Sequence, residues 1–206
     1  MRLTLHTFLT LDGVMQAPGG PDEDRDGGFP YGGWSFLYGD QDFGVAMTGW
    51  FEHASAFLLG RKTYQIFSGH WPRVTDPADP IASKLNALPK YVASTTLASA
   101  DWPNSVLLSG DVAAETAKLK EQPGNELQVH GSGGLAHTLI EHDLIDEYRL
   151  LIFPVHLGSG KKLFRDGAAA AALRLTGATT TSTGVIIATY EPAGPVRHGS
   201  YALDQP

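Results

Sequence analysis

The sequence predicts a single α/β domain with a mixed, mostly parallel sheet that ends in an antiparallel hairpin. Short apolar runs with the length of buried strands alternate with segments of helical periodicity along most of the 206 residues. The alternation ends at Leu173–Tyr190. This segment is rich in Thr and Ile and contains a tight turn near Gly184, which is typical of two antiparallel strands. No internal repeat is present, and one domain is the simplest count for this length.

The composition limits the class of protein before any motif is considered. The formal net charge is −7 and the chain has no cysteine. An acidic chain is a poor partner for nucleic acid or for an anionic membrane. Without cysteine there is no disulfide, thiolate metal site or thiol nucleophile. The N-terminus lacks the apolar core of a signal peptide, and no apolar run approaches the ~18 residues of a membrane span. We therefore expect a soluble, cytoplasmic protein that binds a small molecule and no metal.

The first predicted strand is Arg2–Leu11, with its leucines on one face. Asp12-Gly13 ends this strand, and two explanations stay open. The pair can be a simple turn, because Asp and Gly both suit turns. Alternatively, Asp12 places a carboxylate at the carboxyl end of a strand, where open α/β sheets bind ligands.

A long segment rich in Gly, Pro and Asp follows, from Ala17 to Gly39. It carries five aromatic residues: Phe29, Tyr31, Trp34, Phe36 and Tyr38. Loops of this length are uncommon inside compact domains and are often active-site lids. We expect a mobile or partner-covered lid without regular structure, whose aromatic part packs on a ligand cleft or a partner subunit. Asp40–Ala54 then has the apolar spacing of a helix.

The strand-and-helix unit Ala56–Phe67 is the central candidate for a ligand site. Its first four residues have the composition of a buried strand, Gly60 breaks the strand, and helical spacing follows from Thr63. Arg61 and Lys62 stand where the helix begins, although a helix N-terminus already carries about half a positive charge. An anion held there by backbone N–H groups and the Thr63 hydroxyl would explain the two cations. A solvated basic loop is the other explanation.

Further helices and strands alternate along the rest of the chain. The predicted elements are a helix at Ile81–Leu88, strands at Lys90–Ser94 and Val106–Leu108, a helix that Asp111 caps and that runs to Lys120, a strand at Leu127–His130, a helix at Leu135–His142 and a strand at Tyr148–Phe153. Ser94 and Thr95 place hydroxyl groups at the carboxyl end of one of these strands.

A second glycine-rich turn follows the strand that ends at His130. Gly131-Ser132-Gly133-Gly134-Leu135-Ala136 fits the pattern G-x-G-x-x-[GA], in which bare glycines let a pyrophosphate approach the backbone. A dinucleotide fingerprint also needs an acidic residue at the end of the next strand, and that strand ends instead in Ile152-Phe153-Pro154. A Rossmann domain is therefore disfavoured, whereas a phosphate-binding turn in another α/β fold is not. The basic turn Gly158–Lys162 could hold a substrate phosphate or could be solvated.

These motifs together resemble the dihydrofolate reductase superfamily. Gly60-Arg61-Lys62-Thr63-Tyr64 is similar to the G-R-[KR]-T-[WY] turn that binds the phosphates of NADPH in those enzymes, and Gly131–Gly134 resembles the second pyrophosphate contact of that fold. Four further motifs resemble, more narrowly, the C-terminal reductase domain of bacterial riboflavin biosynthesis enzymes: Thr10-Leu11-Asp12-Gly13, Leu88-Pro89-Lys90-Tyr91-Val92, Asp146-Glu147-Tyr148-Arg149 and Pro154-Val155-His156-Leu157-Gly158-Ser159-Gly160.

The resemblance implies a three-layer α/β/α domain over residues 1–190, followed by a tail at 191–206. It also implies NADPH as cofactor and hydride transfer to a pteridine-like or pyrimidine-like heterocycle. A nucleotide-binding or assembly protein of the same fold without turnover is the alternative. The related reductase domains pair as two-fold dimers, so we expect a homodimer that covers the edge of the terminal hairpin. The other way to cover that edge is for the tail from Pro192 to fold back over its own sheet.

The resemblance also assigns roles to individual residues. Gly60, Arg61, Lys62 and Thr63 would contact the cofactor phosphates, Ser94 and Thr95 the adenosine side, and Gly131, Ser132, Gly133, Gly134 and Leu135 the pyrophosphate. Asp12 would stand near the nicotinamide as a candidate for the proton path, and Trp34, Gly158, Ser159 and Gly160 would lie on the substrate side.

Overall fold

Eight strands form one sheet in the computed structural model, which describes residues 1–201. The strands are β1 (Arg2–Thr10), β2 (Ala54–Gly60), β3 (Lys90–Ala93), β4 (Ser105–Leu108), β5 (Glu126–His130), β6 (Glu147–Phe153), β7 (Leu173–Thr180) and β8 (Ile186–Pro192). Their order across the sheet is β4-β3-β2-β5-β1-β6-β8-β7. Strands β1 to β6 are all parallel to one another, whereas β8 runs antiparallel to both β6 and β7. The predicted mixed, mostly parallel sheet with a C-terminal hairpin is confirmed.

Helices cover both faces of the sheet. The α-helices of the described residues are α1 (Gln41–Glu52), α2 (Arg61–His70), α3 (Pro80–Ala87), α4 (Val112–Glu121) and α5 (Gly133–Glu141). Successive side chains of β2 point to opposite faces, so Phe57 packs with residues of α1, α2 and α3, while Leu58 packs with residues of α4 and α5. This arrangement is the three-layer α/β/α architecture.

The structure moves several element boundaries that the sequence predicted. Strand β1 ends at Thr10, and Leu11 is 64% exposed instead of lying on the core face. Asp40 precedes α1 and caps it, because its carboxylate accepts a hydrogen bond from the backbone N–H of Phe43 at 2.8 Å. Strand β8 extends to Pro192, two residues beyond the predicted domain boundary. Residues 202–206 of the predicted tail lie outside the described residues.

The segment Ala17–Gly39 differs from a loop without regular structure. It contains two short 3₁₀ helices, Asp26–Gly28 and Phe36–Tyr38. The indole N–H of Trp34 donates to the carbonyl of Gln16 at 2.7 Å, and its ring packs edge-on against Phe153 at 5.2 Å between ring centroids. The aromatic residues of the segment differ in burial: Phe29 is buried, Trp34 and Tyr38 are half-buried, and Tyr31 and Phe36 are exposed. The buried part therefore packs on its own domain.

A buried charged network lies between the sheet and α1. Arg149 on β6 is 8% exposed and donates to Glu126 on β5 at 2.6 Å and to Glu147 at 2.5 Å. Both carboxylates are also buried, and the Arg149 guanidinium lies 5.8 Å from the ring of Trp50 on α1. One guanidinium thus holds two carboxylates in the core.

Lys90, at the start of β3, is fully buried without a carboxylate partner among the described residues. Its ammonium group donates to the carbonyls of Leu85 and Leu88 at 2.8 Å each, and lies 4.5 Å from the ring of Trp102. The first of these carbonyls belongs to the last turn of α3, where a cation is favourable. Burial lowers the pKa of Lys90 from 10.5 to about 8.

The lowered pKa of Lys90 predicts how stability changes with pH. Between about pH 8 and 10 the unfolded chain binds more protons at this lysine than the folded chain, so the free energy of unfolding rises with pH. We expect the wild type to gain about 1–2 kcal/mol over Lys90→Met between pH 7.5 and 9.5, measured by urea denaturation. A constant difference between the two proteins across that range would contradict the prediction.

Candidate active site

The carboxyl ends of five neighbouring parallel strands bring the sequence-predicted residues to one edge of the sheet. Along this edge, in spatial order, stand Ser94 and Thr95 after β3, Gly60–Thr63 at the junction of β2 and α2, Gly131–Leu135 at the junction of β5 and α5, Asp12 after β1, and Gly158–Gly160 after β6. The predicted adenosine, phosphate, nicotinamide and substrate positions therefore follow one another along a single edge.

The two glycine-rich turns are joined directly through one hydroxyl group. The Ser132 hydroxyl donates to Oγ1 of Thr63 at 2.7 Å and accepts from the backbone N–H of Gly60 at 2.9 Å. A Cβ atom on Gly60 would lie 3.1 Å from Cβ of Ser132, so a larger residue there would require Ser132 to shift by a few tenths of an ångström. The turn after β2 and the turn after β5 consequently form one surface.

The two helices that begin at this surface have no side-chain cap within residues 1–201. Helices α1, α3 and α4 are each capped by an aspartate, namely Asp40, Asp79 and Asp111. Helix α2 follows Gly60 and α5 follows Ser132, and neither residue caps its helix with its side chain. Ser132 is held in the left-handed region, with φ at +60°. The first N–H groups of α2 and α5 can therefore donate to an anion.

The two cations at the start of α2 have different surroundings. Arg61 is exposed and donates to Oε1 of Gln65 at 3.2 Å. Lys62 instead pairs with Asp24 at 2.9 Å and with Asp26. Of the two cations, Arg61 is thus the one without a carboxylate partner within the described part of the chain.

The hydroxyl groups after β3 also differ. Ser94 is buried, and its hydroxyl accepts from the backbone N–H groups of Thr96 at 3.2 Å and Leu97 at 3.0 Å, so it holds the turn. Thr95 is exposed at the same edge. A shallow cavity of about 540 Å³ lies beside α2 under Leu97–Pro103, and none of the sequence-predicted site residues lines it.

Asp12 is bound on both oxygens by its own domain. Oδ1 accepts from the Thr10 hydroxyl at 2.6 Å and from the N–H of Leu157 at 3.3 Å, and Oδ2 accepts from the N–H of Gly158 at 2.8 Å. Desolvation favours the neutral acid, but these hydrogen bonds outweigh it and lower the pKa of Asp12 to about 2. An ionised carboxylate cannot donate a proton at neutral pH. The geometry supports a role for Asp12 in holding the Gly158 turn, while a part in the proton path, directly or through water, stays a prediction.

Two buried histidines lie beneath the second glycine turn. His6 on β1 and His130 on β5 stack with 4.6 Å between ring centroids, and the N–H of Gly131 donates to the carbonyl of His6 at 2.9 Å. Burial lowers the pKa of both rings, with a smaller contribution from the positive charge of Arg149, and the pKa of His130 falls to about 3. Both rings are therefore neutral and support the turn by packing.

Comparison with known proteins now identifies the family. The family model described as "RibD C-terminal domain" matches residues 2–187. The chain belongs to the RibD C-terminal domain family. A relative from Bacillus subtilis, the uncharacterized protein YyaP, is 29% identical over 191 residues, which are 92% of this chain and 94% of YyaP.

Two solved structures share the fold of this RibD C-terminal domain. One, from Shewanella sp. PV-4, is provisionally described as a riboflavin biosynthesis protein; its TM-score is 0.66 at 21% identity, over 94% of this chain and 99% of that one. The other is dihydrofolate reductase from Enterococcus faecalis complexed with NADP(H), with a TM-score of 0.57 at 11% identity, over 93% of this chain and 96% of that one. The predicted family and the predicted dihydrofolate-reductase-like fold are both confirmed.

Sequence reasoning missed three residues that shape this edge of the RibD C-terminal domain. Asp24 and Asp26 pair with Lys62, and Gln16, which is 4% exposed, ties their loop to the turn after β6. The acidic run Asp22–Asp26 was visible in the sequence, but no spacing rule connects it to a lysine 36 or more residues away.

No helix of residues 1–201 combines the length and apolar character needed to cross a membrane. The same residues contain no group of three or more His, Cys, Asp or Glu side chains that could hold a metal ion.

Proposed function

We propose that this member of the RibD C-terminal domain family is an NADPH-dependent reductase that transfers a hydride to a small pteridine-like or pyrimidine-like heterocycle. The observation that carries the proposal is the single surface formed by Gly60, Thr63 and Ser132, where two helix N-termini without side-chain caps meet. Such a surface suits a pyrophosphate, because backbone N–H groups and the helix dipoles both favour an anion. The shared fold with a dihydrofolate reductase described as complexed with NADP(H) supports the same cofactor.

The residues along the edge fit the successive parts of this cofactor. Gly60–Thr63 and Gly131–Leu135 would hold the pyrophosphate, Arg61 the 2′-phosphate, and Thr95 the adenosine side. NADPH would supply the hydride when bound. Asp12 would keep the Gly158–Gly160 turn in place beside the substrate, since its carboxylate binds the Gly158 N–H. Trp34, which packs on Phe153 at the end of β6, would help to exclude water from the substrate side.

The first test of the proposal is a screen for turnover. Purified protein is mixed with NADPH and a panel of pteridines, pyrimidine intermediates and quinoid compounds, and NADPH absorbance is followed over time. Oxidation that depends on both enzyme and acceptor is the expected result. Saturable NADPH binding without oxidation across the panel would favour the alternative, a nucleotide-binding or assembly protein of the same fold.

Arg61→Ala tests the preference for the phosphorylated cofactor. We expect this variant to lose about 1.5–3 kcal/mol of NADPH affinity, the range for a hydrogen bond to a charged group, and to lose much less affinity for NADH. Fluorescence titration of both cofactors measures the two losses. The control is Arg174→Ala, which removes another exposed arginine, from strand β7 at the opposite end of the sheet order. Equal losses for NADPH and NADH would show that Arg61 does not contact the 2′-phosphate.

The homodimer and the cytoplasmic location stay proposals. Strand β7 is one of the two edges of the sheet, seven of its eight residues are exposed, and Arg174 is its one charged residue. An uncovered and nearly uncharged edge favours association with a second copy. The alternative is that the tail from Pro192 folds back over the sheet and covers this edge. The described part of the tail does not support it, because Ala193 and Gly194 pair with Ala172 and continue the hairpin, and residues 195–201 are exposed.

A further inference from the structure

A cluster of four charged side chains joins three separate parts of the candidate site. Lys62 comes from the start of α2, Lys161 from the turn after β6, and Asp24 and Asp26 from the long loop after β1. The ammonium of Lys161 lies 2.6 Å from Asp24 and 2.8 Å from Asp26, and that of Lys62 lies 2.9 Å from Asp24 and also contacts Asp26. Two lysines from different elements thus share one pair of carboxylates.

The loop is held in this position by a buried amide as well as by charge. Nε2 of Gln16 donates to the carbonyls of Asp24 and Asp26 at 3.1 and 3.0 Å, and Oε1 of Gln16 accepts from the N–H of Lys161 at 3.0 Å. The acidic segment Asp22–Gly28, called here the acidic strap, is therefore fixed to the turn that carries Lys161. The hydrogen bonds from Lys161 and Lys62 lower the pKa of Asp26 to about 2, so its carboxylate stays charged.

We infer that Lys62 and Lys161 form one subsite for a phosphate group of the ligand, and that the acidic strap occupies this subsite until the ligand displaces it. The inference rests on the proposed function for the identity of the ligand. Two carboxylates with two negative charges satisfy the same donors that a phosphate group would use. Both cannot use these lysines at once, because a phosphate beside Asp24 and Asp26 would bring like charges together.

The position of the strap favours its displacement by a ligand over a role as a lid that closes on the ligand. Lys62 is adjacent in sequence to Thr63, whose hydroxyl accepts from Ser132, so the strap reaches the phosphate surface itself. Asp26, Lys62 and Lys161 are each at least 40% exposed, which leaves their ion pairs open to competition by a solute anion. Two consecutive glycines with positive φ, Gly27 and Gly28, end the strap, and glycine can adopt other backbone conformations there at little steric cost.

Hydrogen exchange on the whole protein distinguishes displacement of the strap by the ligand from closure of the strap over the ligand. Deuterium uptake of peptides covering residues 19–28 and the first turn of α2 is compared without ligand, with NADPH and with inorganic pyrophosphate. We expect the ligand to speed exchange in the strap by severalfold while it slows exchange at the start of α2. Unchanged or slower exchange in the strap would overturn the inference, because a lid that closes over its ligand becomes more protected.

Charge removal provides an independent measurement. The double variant Asp24→Asn and Asp26→Asn keeps the shape of both side chains but removes the charges that compete with phosphate. We expect it to bind NADPH about tenfold more tightly than the wild type in a fluorescence titration. Asp22→Asn is the matched control, since Asp22 lies in the same strap but pairs with Arg25, and its affinity should stay within about twofold.

The outcomes distinguish this inference from the proposed function. If NADPH binds the wild type, but the double variant binds it no more tightly, the inference fails and the proposed function stands. If NADPH binds neither protein, the proposed function fails. The hydrogen-exchange measurement with pyrophosphate then decides whether a phosphate ligand displaces the strap. A protein that binds neither NADPH nor pyrophosphate would overturn both.

Discussion

Arg149→Met is expected to lower the free energy of unfolding by about 3–5 kcal/mol. Arg149 is the cation that contacts both Glu126 and Glu147 within residues 1–201, and Arg2 makes a further contact with Glu147 at 2.9 Å. Its removal would leave two carboxylates, each less than 10% exposed, close together in the core. Like charges in a site of low polarity repel strongly, and neither carboxylate could regain water unless α1 moved away from the sheet.

Urea denaturation followed by circular dichroism measures the effect of Arg149→Met. The control is Arg174→Met, which removes the exposed pair between Arg174 and Glu191 and should cost less than about 1 kcal/mol. If Glu126→Gln and Glu147→Gln are added to Arg149→Met, much of the lost stability should return, because the uncompensated charges disappear. A loss below 1 kcal/mol for Arg149→Met alone would show that water reaches the network.

The sequence predicted the site best where one local rule decides the structure. An apolar run followed by glycine marks the end of a buried strand, and this rule located the turns at Gly60 and Gly131. Because parallel strands end at one edge, the rule also implied that these turns lie near each other. Asp111 as a helix cap was equally local, since its carboxylate accepts from the N–H groups of the first turn of α4.

The rest of the site depends on contacts between residues far apart in the chain. Lys62 was predicted as a phosphate contact from its neighbours, but its pairing with Asp24 depends on how a long loop folds across the edge. The sequence placed Asp12 after the first strand, as the structure does, whereas its bonding to Leu157 and Gly158 follows from the neighbouring turn after β6. The polar and charged residues at alternate positions at the start of β5 and β6, namely Glu126, Gln128, Glu147 and Arg149, have the pattern of a solvated face, but α1 packs over them and they are buried.

Gly160→Ala is expected to destabilise the protein by about 3–5 kcal/mol and to weaken ligand binding at the same edge. Gly160 has φ at +126°, which L side chains rarely adopt. A Cβ atom there would lie 2.6 Å from Cγ1 of Val14 and 2.8 Å from Cε2 of Phe29, and both of these side chains are buried. The turn would have to move away from Val14, and the backbone hydrogen bond from Met15 N–H to the carbonyl of Lys161, 2.8 Å in length, would break.

Two further glycine variants distinguish the cost of backbone strain at Gly160 from the cost of the clash with Val14 and Phe29. Gly158→Ala introduces a similar strain, with φ at +76°, but its Cβ would approach only Cε1 of His156 at 3.8 Å. We expect it to cost about 1 kcal/mol. Gly177→Ala, on β7, meets no atom within 4 Å and has no positive φ, so its stability should stay within about 0.5 kcal/mol of the wild type. Thermal unfolding of the three variants gives the comparison. Equal losses for Gly160→Ala and Gly158→Ala would mean that Val14 and Phe29 yield to the added methyl group, and that this turn is not packed tightly enough to hold Lys161 in place.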